Sequence, residues 1–372
     1  LLKEIDEQPG KIASIKPIVF KQTGKKPHNA SEIVAIDDGR FLFCDNNVGD
    51  ALFELRLAAN GEMACTLIKR PISGIEPGSV DDLEGMTHVS TDGGNLIIVM
   101  PSFSLKQRKR WRKKKSRRGK ETATRSCLLR ISFGAGDRLE AEVLAGFRDW
   151  IVDNAPELGN APRYLPDDGG LNIEGLAWSP TEEALLLGVR TPVIDGKPII
   201  LRVRVKNVHG PWDLSNFEIL PPVSLAIKND WKEQGIRTIE FDPSRGVWLT
   251  VVGNSTSAVK APFTLYSWDG NAHGVVRHFE NVRFHKKMKV EGVAHGTVGG
   301  RGAIVFVDDG GGYQILWDDD PRTCIASFPE VVPTGSEAPM TLRSSLAIAS
   351  GESAKGRASG ALGPKRRSKS EL

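Results

Sequence analysis

The chain has 372 residues, 40% of them hydrophobic and 26% charged, with a net charge of +4. That is apolar material enough for a large core. No apolar run approaches the roughly 18 residues of a membrane span, no signal-peptide pattern is present, and four cysteines are too few for a disulfide scaffold. The cytoplasm is the expected compartment and a monomer the expected state.

In chain order, residues 11–20 read as an edge strand, because Pro17 removes a ladder donor. Three short runs rich in Ile, Leu, Val and Phe follow at 31–35, 41–44 and 51–57. Such runs are too short for helices, which need about ten residues of 3.6-residue periodicity, and turn-formers separate them. They read as an antiparallel meander. The unit recurs at 82–87, 95–100 and 127–133. A further copy lies at 172–180, 184–190 and 198–205, with 217–220 as its outer strand. Two more lie at 235–243, 247–252 and 263–268, and at 289–294, 303–307 and 313–317.

Five copies share one key position, occupied by Glu32, Glu84, Glu174, Arg237 and Glu291, in steps of 52, 90, 63 and 54 residues. A period of this size predicts an all-β fold, a β-propeller of four-stranded antiparallel blades. Five blades are expected, with six as the alternative. The long step is read as an insertion: a basic loop at 103–125 and a short helix at 147–158. The last repeat lacks an outer strand, so either the amino-terminal strand or residues 325–328 should complete it and remove an open edge. Residues 1–334 then form one domain. Residues 335–372, rich in Ser, Gly, Ala, Lys and Arg, read as a disordered tail.

Residues 106–120 hold eleven Lys or Arg and no acid. Like charges repel and stay solvated. Arg108, Lys109, Arg110, Arg112, Lys113, Lys114 and Lys115 are the candidates for contact with an anionic partner, although Trp111 alone is thin support for base stacking. Residues 335–372 add seven basic and three acidic side chains. The chain's +4, less the loop's +11 and the tail's +4, leaves a body of −11. Nucleic-acid binding through a basic structured face is therefore not expected.

First strands of a propeller line its central channel, so the five key residues should form a ring. Like charges held together raise one another's pKa, and burial adds to this. Three arrangements would relieve it. A hard cation such as Ca²⁺ could take Asp82, Glu84, Glu174 and Glu291 as oxygen ligands. Arg237 could neutralise a neighbour. Each Glu could instead accept backbone N–H groups of the next blade. Asp45, Asn46, Asn47, Asp308 and Asp309, with Arg190 and Asn254, fall at the ends of second strands and would widen a polar rim. No Gly-x-Ser-x-Gly, phosphate loop or His-Glu-x-x-His motif occurs. His88 and His295 read as packed, hydrogen-bonded histidines, and Cys44, Cys65, Cys127 and Cys324 as buried thiols.

The strand Asn172-Ile-Glu-Gly-Leu-Ala-Trp-Ser-Pro180, followed by Leu-Leu-Leu-Gly-Val-Arg190, resembles the hallmark of a bacterial domain-of-unknown-function family, the one numbered 3616. Asp82-Leu-Glu-Gly85 and Gly235-Ile-Arg237 resemble its companion strands, and the resemblance runs over about 25–320. Arg237-Thr238 and the longer basic loop depart from the family pattern. The resemblance implies a propeller related at fold level to esterase-like phytases, with no defined activity. The leading expectation is a small polar ligand in an acidic funnel holding Glu32, Glu84, Glu174, Arg190, Arg237 and Glu291. The alternatives are a metal-dependent phosphoester or ester hydrolase, and a scaffold that docks an anionic partner through the basic loop.

Overall fold

A computed structural model describes residues 29–64, 67–106, 122–227, 233–280, 282–284 and 288–320, together with the strand Ile18–Val19. The chain divides into two compact units, Leu1–Ile325 and Ala326–Leu372, and the described residues all belong to the first. The residues of the basic loop from Arg108 to Lys115, Cys65, Cys324, residues 325–328 and the tail lie outside the described residues.

The strands are β1 (Ile18–Val19), β2 (Ala30–Asp37), β3 (Arg40–Asp45), β4 (Val48–Arg56), β5 (Ile68–Ser73), β6 (Leu83–Thr91), β7 (Gly94–Pro101), β8 (Leu128–Gly134) and β9 (Arg138–Leu144). The helix α1 (Phe147–Asn154) precedes β10 (Asn172–Ser179), β11 (Ala184–Thr191), β12 (Ile199–Val205) and β13 (Phe217–Ser224). Then come β14 (Gln234–Asp242), β15 (Val247–Asn254), β16 (Thr264–Trp268), β17 (Val276–His278), β18 (Val290–Val298), β19 (Arg301–Asp308) and β20 (Gly312–Trp317).

Three sheets have four antiparallel strands, in the orders β10-β11-β12-β13, β14-β15-β16-β17 and β1-β20-β19-β18. Ile18 and Val19 pair with Tyr313 and Gly312, so the amino-terminal strand supplies the outer strand that the last repeat lacks. The remaining eight strands form one sheet, β2-β3-β4-β5-β9-β8-β7-β6. Its two antiparallel meanders join only where β5 and β9 run parallel, at Ile72 with Leu139 and Ser73 with Glu140. The first strands pack against one another in the cycle β2, β6, β10, β14, β18 and back to β2.

Alternating apolar residues on each strand place the core between neighbouring sheets. Leu176, Leu187 and Ile173 of β10 and β11 meet Ile98 and Met100 of β7. Ile236 and Ile239 of β14 meet Ala177 and Leu186. Phe41, Phe43 and Phe53 meet Ala303, Val305 and Val307. The helix expected at 147–158 ends at Asn154, and Pro156–Leu158 forms a separate 3-10 turn. Phe147 of α1 packs edge-on against Phe217 at 5.1 Å. The long step thus contains no further sheet among the described residues. Cys44 and Cys127 are buried free thiols, and no described helix is long and apolar enough to cross a membrane.

Glu54 gathers three arginines of the first meander, one of which reaches the second. It is fully buried on β4 and accepts hydrogen bonds from Arg40 Nε (2.9 Å), Arg56 Nε (2.6 Å) and Arg70 Nε (2.6 Å). Arg40 also reaches Asp137 at 2.9 Å, in the turn before β9. Burial pushes the Glu54 carboxyl up, but the three arginine hydrogen bonds outweigh it and hold it at about 2. A lowered acid pKa gives stability that is full above the unfolded value of 4.5 and is lost as pH falls toward 2. Glu54→Gln should therefore flatten the acid limb of the stability profile below pH 4.5 and cost about 1–3 kcal/mol at neutral pH. Urea unfolding at a series of pH values measures both effects.

Candidate ligand-binding site

All five key residues stand at a register shift near the start of a first strand. Pairing skips Glu84 between Leu83 and Gly85, Arg237 between Ile236 and Thr238, and Glu291 between Val290 and Gly292. Glu174 is passed over between Ile173 and Gly175, and Glu32 between Ala30 and Ile33. A bulge of this kind re-aims a side chain and ends regular pairing. The glycine after the bulged Glu lets the neighbouring first strand approach. A Cβ on Gly292 would lie 2.5 Å from Ser31 O, and one on Gly175 would lie 3.0 Å from the Ile239 Cγ2 methyl.

The charges at these bulges are mostly matched. Arg237 is buried, with Nε 2.9 Å from Glu174 Oε2 and Nη2 bonded to both carboxylate oxygens of Glu291. Its ring neighbour Phe263 lies 5.6 Å from the guanidinium carbon. Arg190 on β11 donates from Nη1 to Glu174 Oε1 at 2.6 Å and from Nε to Asn254 O at 3.2 Å. Asn172 Nδ2 adds a 2.9 Å bond to Glu174 Oε1. Two guanidinium groups therefore face two carboxylates. Burial pushes the Glu291 carboxyl up to about 7 although Arg237 pulls the other way, because Arg237 is shared with Glu174, whose charge adds to the rise.

Glu32 departs from the ligand-binding expectation. It is 1% exposed and does not line the cavity. Its Oε1 accepts from Thr238 Oγ1 at 2.6 Å and from the Val293 backbone N–H at 3.2 Å. It joins β2 to β14 and β18, which is the backbone-clasp arrangement. Thr238, next to Arg237, is the side-chain donor this clasp uses.

Glu84 is different again. Among the described residues it has no hydrogen-bond or ion-pair partner, and it lines a cavity of about 530 Å³ together with Glu174, Arg190, Arg237 and Glu291. Burial first, then the Glu174, Asp82 and Glu291 carboxylates, raise its pKa well above the usual range, against a smaller opposing pull from Arg237. Asn46, Asn254 and Asp309 of the predicted rim also line this cavity. Asp309 is paired with Lys289 at 2.7 Å.

A second cavity of about 850 Å³ shares Glu84, Glu174, Arg190 and Ser257 with the first. Its other walls are Asp82, Ser104, Leu105, Arg125, Asn172 and the turn at Leu165, Pro166, Asp167 and Asp168. Asp82 is occupied by Arg125 at 2.8 Å and by the Ser102 hydroxyl.

The predicted calcium set of Asp82, Glu84, Glu174 and Glu291 is thus not assembled. Arginines and hydroxyls take the oxygens of three of its members. Among the described residues no group of three or more His, Cys, Asp or Glu is placed to hold a metal ion. His88 and His295 sit toward the other ends of their strands. His88 lines a separate cavity of about 560 Å³ with His209 and Arg40. His295 lies 2.8 Å from Asp318 and 3.3 Å from the Ser244 hydroxyl.

Sequence reading missed the apolar wall of the first cavity, Pro262, Phe263, Phe284 and Met288, and the Leu165–Asp168 wall of the second. Phe263 was visible only as the opening of a strand. Nothing in a single repeat marks which loop folds back over the channel.

A raised acid pKa contributes stability that is complete below the unfolded value of 4.5 and is lost as pH rises through the folded one. Glu84→Gln should therefore melt higher than the parent at pH 8 and close to it at pH 4.5. Thermal melts at the two pH values check this.

Among curated proteins none matches the chain. Solved structures similar to it include the Malassezia sympodialis allergen Mala s 1, at 12% identity over 78% of each chain with a TM-score of 0.40. The inulosucrase from Halalkalicoccus jeotgali bound to kestose is similar at 10% identity over 81% of each chain, TM-score 0.44. The WD40 β-propeller domain of Doa1 is similar at 10% identity over 82% of this chain and 97% of that one, TM-score 0.31. Residues 153–303, from α1 into β19, match the family described as protein of unknown function (DUF3616), the same family that the Asn172–Arg190 stretch resembles.

Proposed function

We propose that the chain is a five-bladed β-propeller, with residues 1–334 as its single domain, that binds a small polar ligand at the bulged ends of its first strands. The closed cycle of first strands supports five blades, each half of the eight-stranded sheet counting as one. The observation that carries the binding reading is Glu84. Every other ring residue spends its charge or hydrogen bonds on a neighbouring sheet, whereas Glu84, without a partner among the described residues, presents its carboxyl to both cavities. Glu84 is half-buried, and a partly desolvated carboxyl without a protein partner is free to bond to a ligand. Concave, partly apolar sites with a few convergent polar groups suit small molecules.

The hydrolase alternative asks a metal to activate water; Arg125, Arg190 and Arg237 pair with three of its four expected ligands, Asp82, Glu174 and Glu291. Docking of an anionic partner by Arg108 to Lys115 stands as a second reading. Lys106 and Arg125 both pair with Asp81, which fixes the two ends of that segment beside the second cavity. Deleting residues 107–121 should abolish retention on an anionic resin at physiological salt, and unchanged retention rejects this reading.

The ligand reading is tested by thermal-shift screening of a library of small polar metabolites. At least one compound should raise the melting temperature of the parent protein, and Glu84→Ala should weaken that compound's binding by about tenfold or more, about 1.4 kcal/mol. A library with no Glu84-dependent hit contradicts it.

A further inference from the structure

The two cavities meet at a short ridge formed by Glu84, Glu174 and Arg190, and each continues away from it. In the first, polar residues share the lining with Phe263 and Met288. In the second, Leu165 and Pro166 belong to the lining together with the same ridge residues. A molecule confined to one cavity would touch only one of these walls. A linear molecule lying over Glu84 would touch both.

The charges set the chemical class. Arg190 and Arg237 answer Glu174 and Glu291, two positive groups against two negative. Lys289 answers Asp309, and Arg125 answers Asp81 and Asp82. Among the described residues the guanidinium and ammonium groups at these cavities are already paired, so a phosphate or carboxylate would have to break an existing pair. An ammonium could pair with Glu84, but it would leave Arg237 Nη1, a buried donor without a hydrogen-bond partner, unanswered. What remains unsatisfied is an acceptor at Glu84 and at Asn172 Oδ1 and a donor at Arg237 Nη1, beside surfaces that accept C–H groups. A chain of rings that carries hydroxyls at its edges and C–H groups on its faces matches both features.

Resting on the binding reading above, we propose that the ligand is a neutral linear oligosaccharide laid across Glu84, with sugar units in each cavity. Hydroxyls of the central unit bond to Glu84 and Arg190. One flanking unit packs on Phe263 and Met288, the other on Leu165 and Pro166.

The test is titration calorimetry of the full chain with neutral gluco-, manno-, galacto- and xylo-oligosaccharides of one to six units. Glucosamine, glucose 6-phosphate and a nucleoside serve as size-matched comparisons. One neutral series should bind with an affinity that rises about tenfold or more from one unit to four. Phe263→Ala and Leu165→Ala, on opposite sides of the ridge, should each bring the four-unit affinity back toward that of the monomer. Affinity independent of length overturns the spanning arrangement. Binding only of the phosphate, the amine or the nucleoside overturns the neutral saccharide class and leaves the Glu84 site standing. No sugar binding, with a Glu84-dependent hit elsewhere in the metabolite screen, does the same. Failure of both experiments overturns the site as well.

Discussion

One guanidinium holds the centre of this protein. Arg237 on β14 reaches Glu174 on β10 and Glu291 on β18, so a single side chain spans three neighbouring first strands. Around it the other ring positions fall into order. Glu174 gains a second cation from Arg190, and Glu32 turns away to accept from Thr238 and Val293. Four carboxylates near one another in a buried place would repel strongly. The reversal of sign at one repeat makes the arrangement tolerable, and it leaves only Glu84 over.

The backbone prepares this. Each first strand slips register at the same point, and the slipped residue points away from the ladder. In three of the repeats the next residue is glycine, at Gly85, Gly175 and Gly292. Those glycines are places where adjacent strands nearly touch. A close inner ring and a set of inward side chains therefore share one local cause. Glu54 with its three arginines performs a comparable joining task farther along the second and third strands, in a position that is hydrogen-bonded throughout.

Much of the fold could be read from the chain because strand identity depends on local pattern. Runs such as Leu-Leu-Leu-Gly-Val at 185–189 are too short and too apolar for anything but buried strands, and their spacing reported the repeat. The shared position of Glu84, Glu174, Arg237 and Glu291 was legible for the same reason. The distinction among the members was not. Whether a repeated glutamate clasps a backbone, pairs with arginine or stands free depends on neighbours tens to hundreds of residues away, as the Glu32–Thr238 bond shows. The calcium expectation counted acids alone: the sequence shows them, but only the fold brings Arg125 to Asp82 and Arg190 to Glu174. Phe263 and the Leu165–Asp168 turn were hidden likewise, since a loop's return over the channel leaves no periodic trace.

The central claim is that Arg237 holds its neighbours together by charge. It is tested by a double-mutant cycle of unfolding free energies between Arg237→Gln and Glu291→Gln at pH 8. Arg237→Gln alone should cost about 3–5 kcal/mol, because it leaves buried carboxylates without a counter-charge. Adding Glu291→Gln should return a substantial part of that loss. Arg237→Gln unfolding like the parent, or a loss that Glu291→Gln only adds to, would contradict the account.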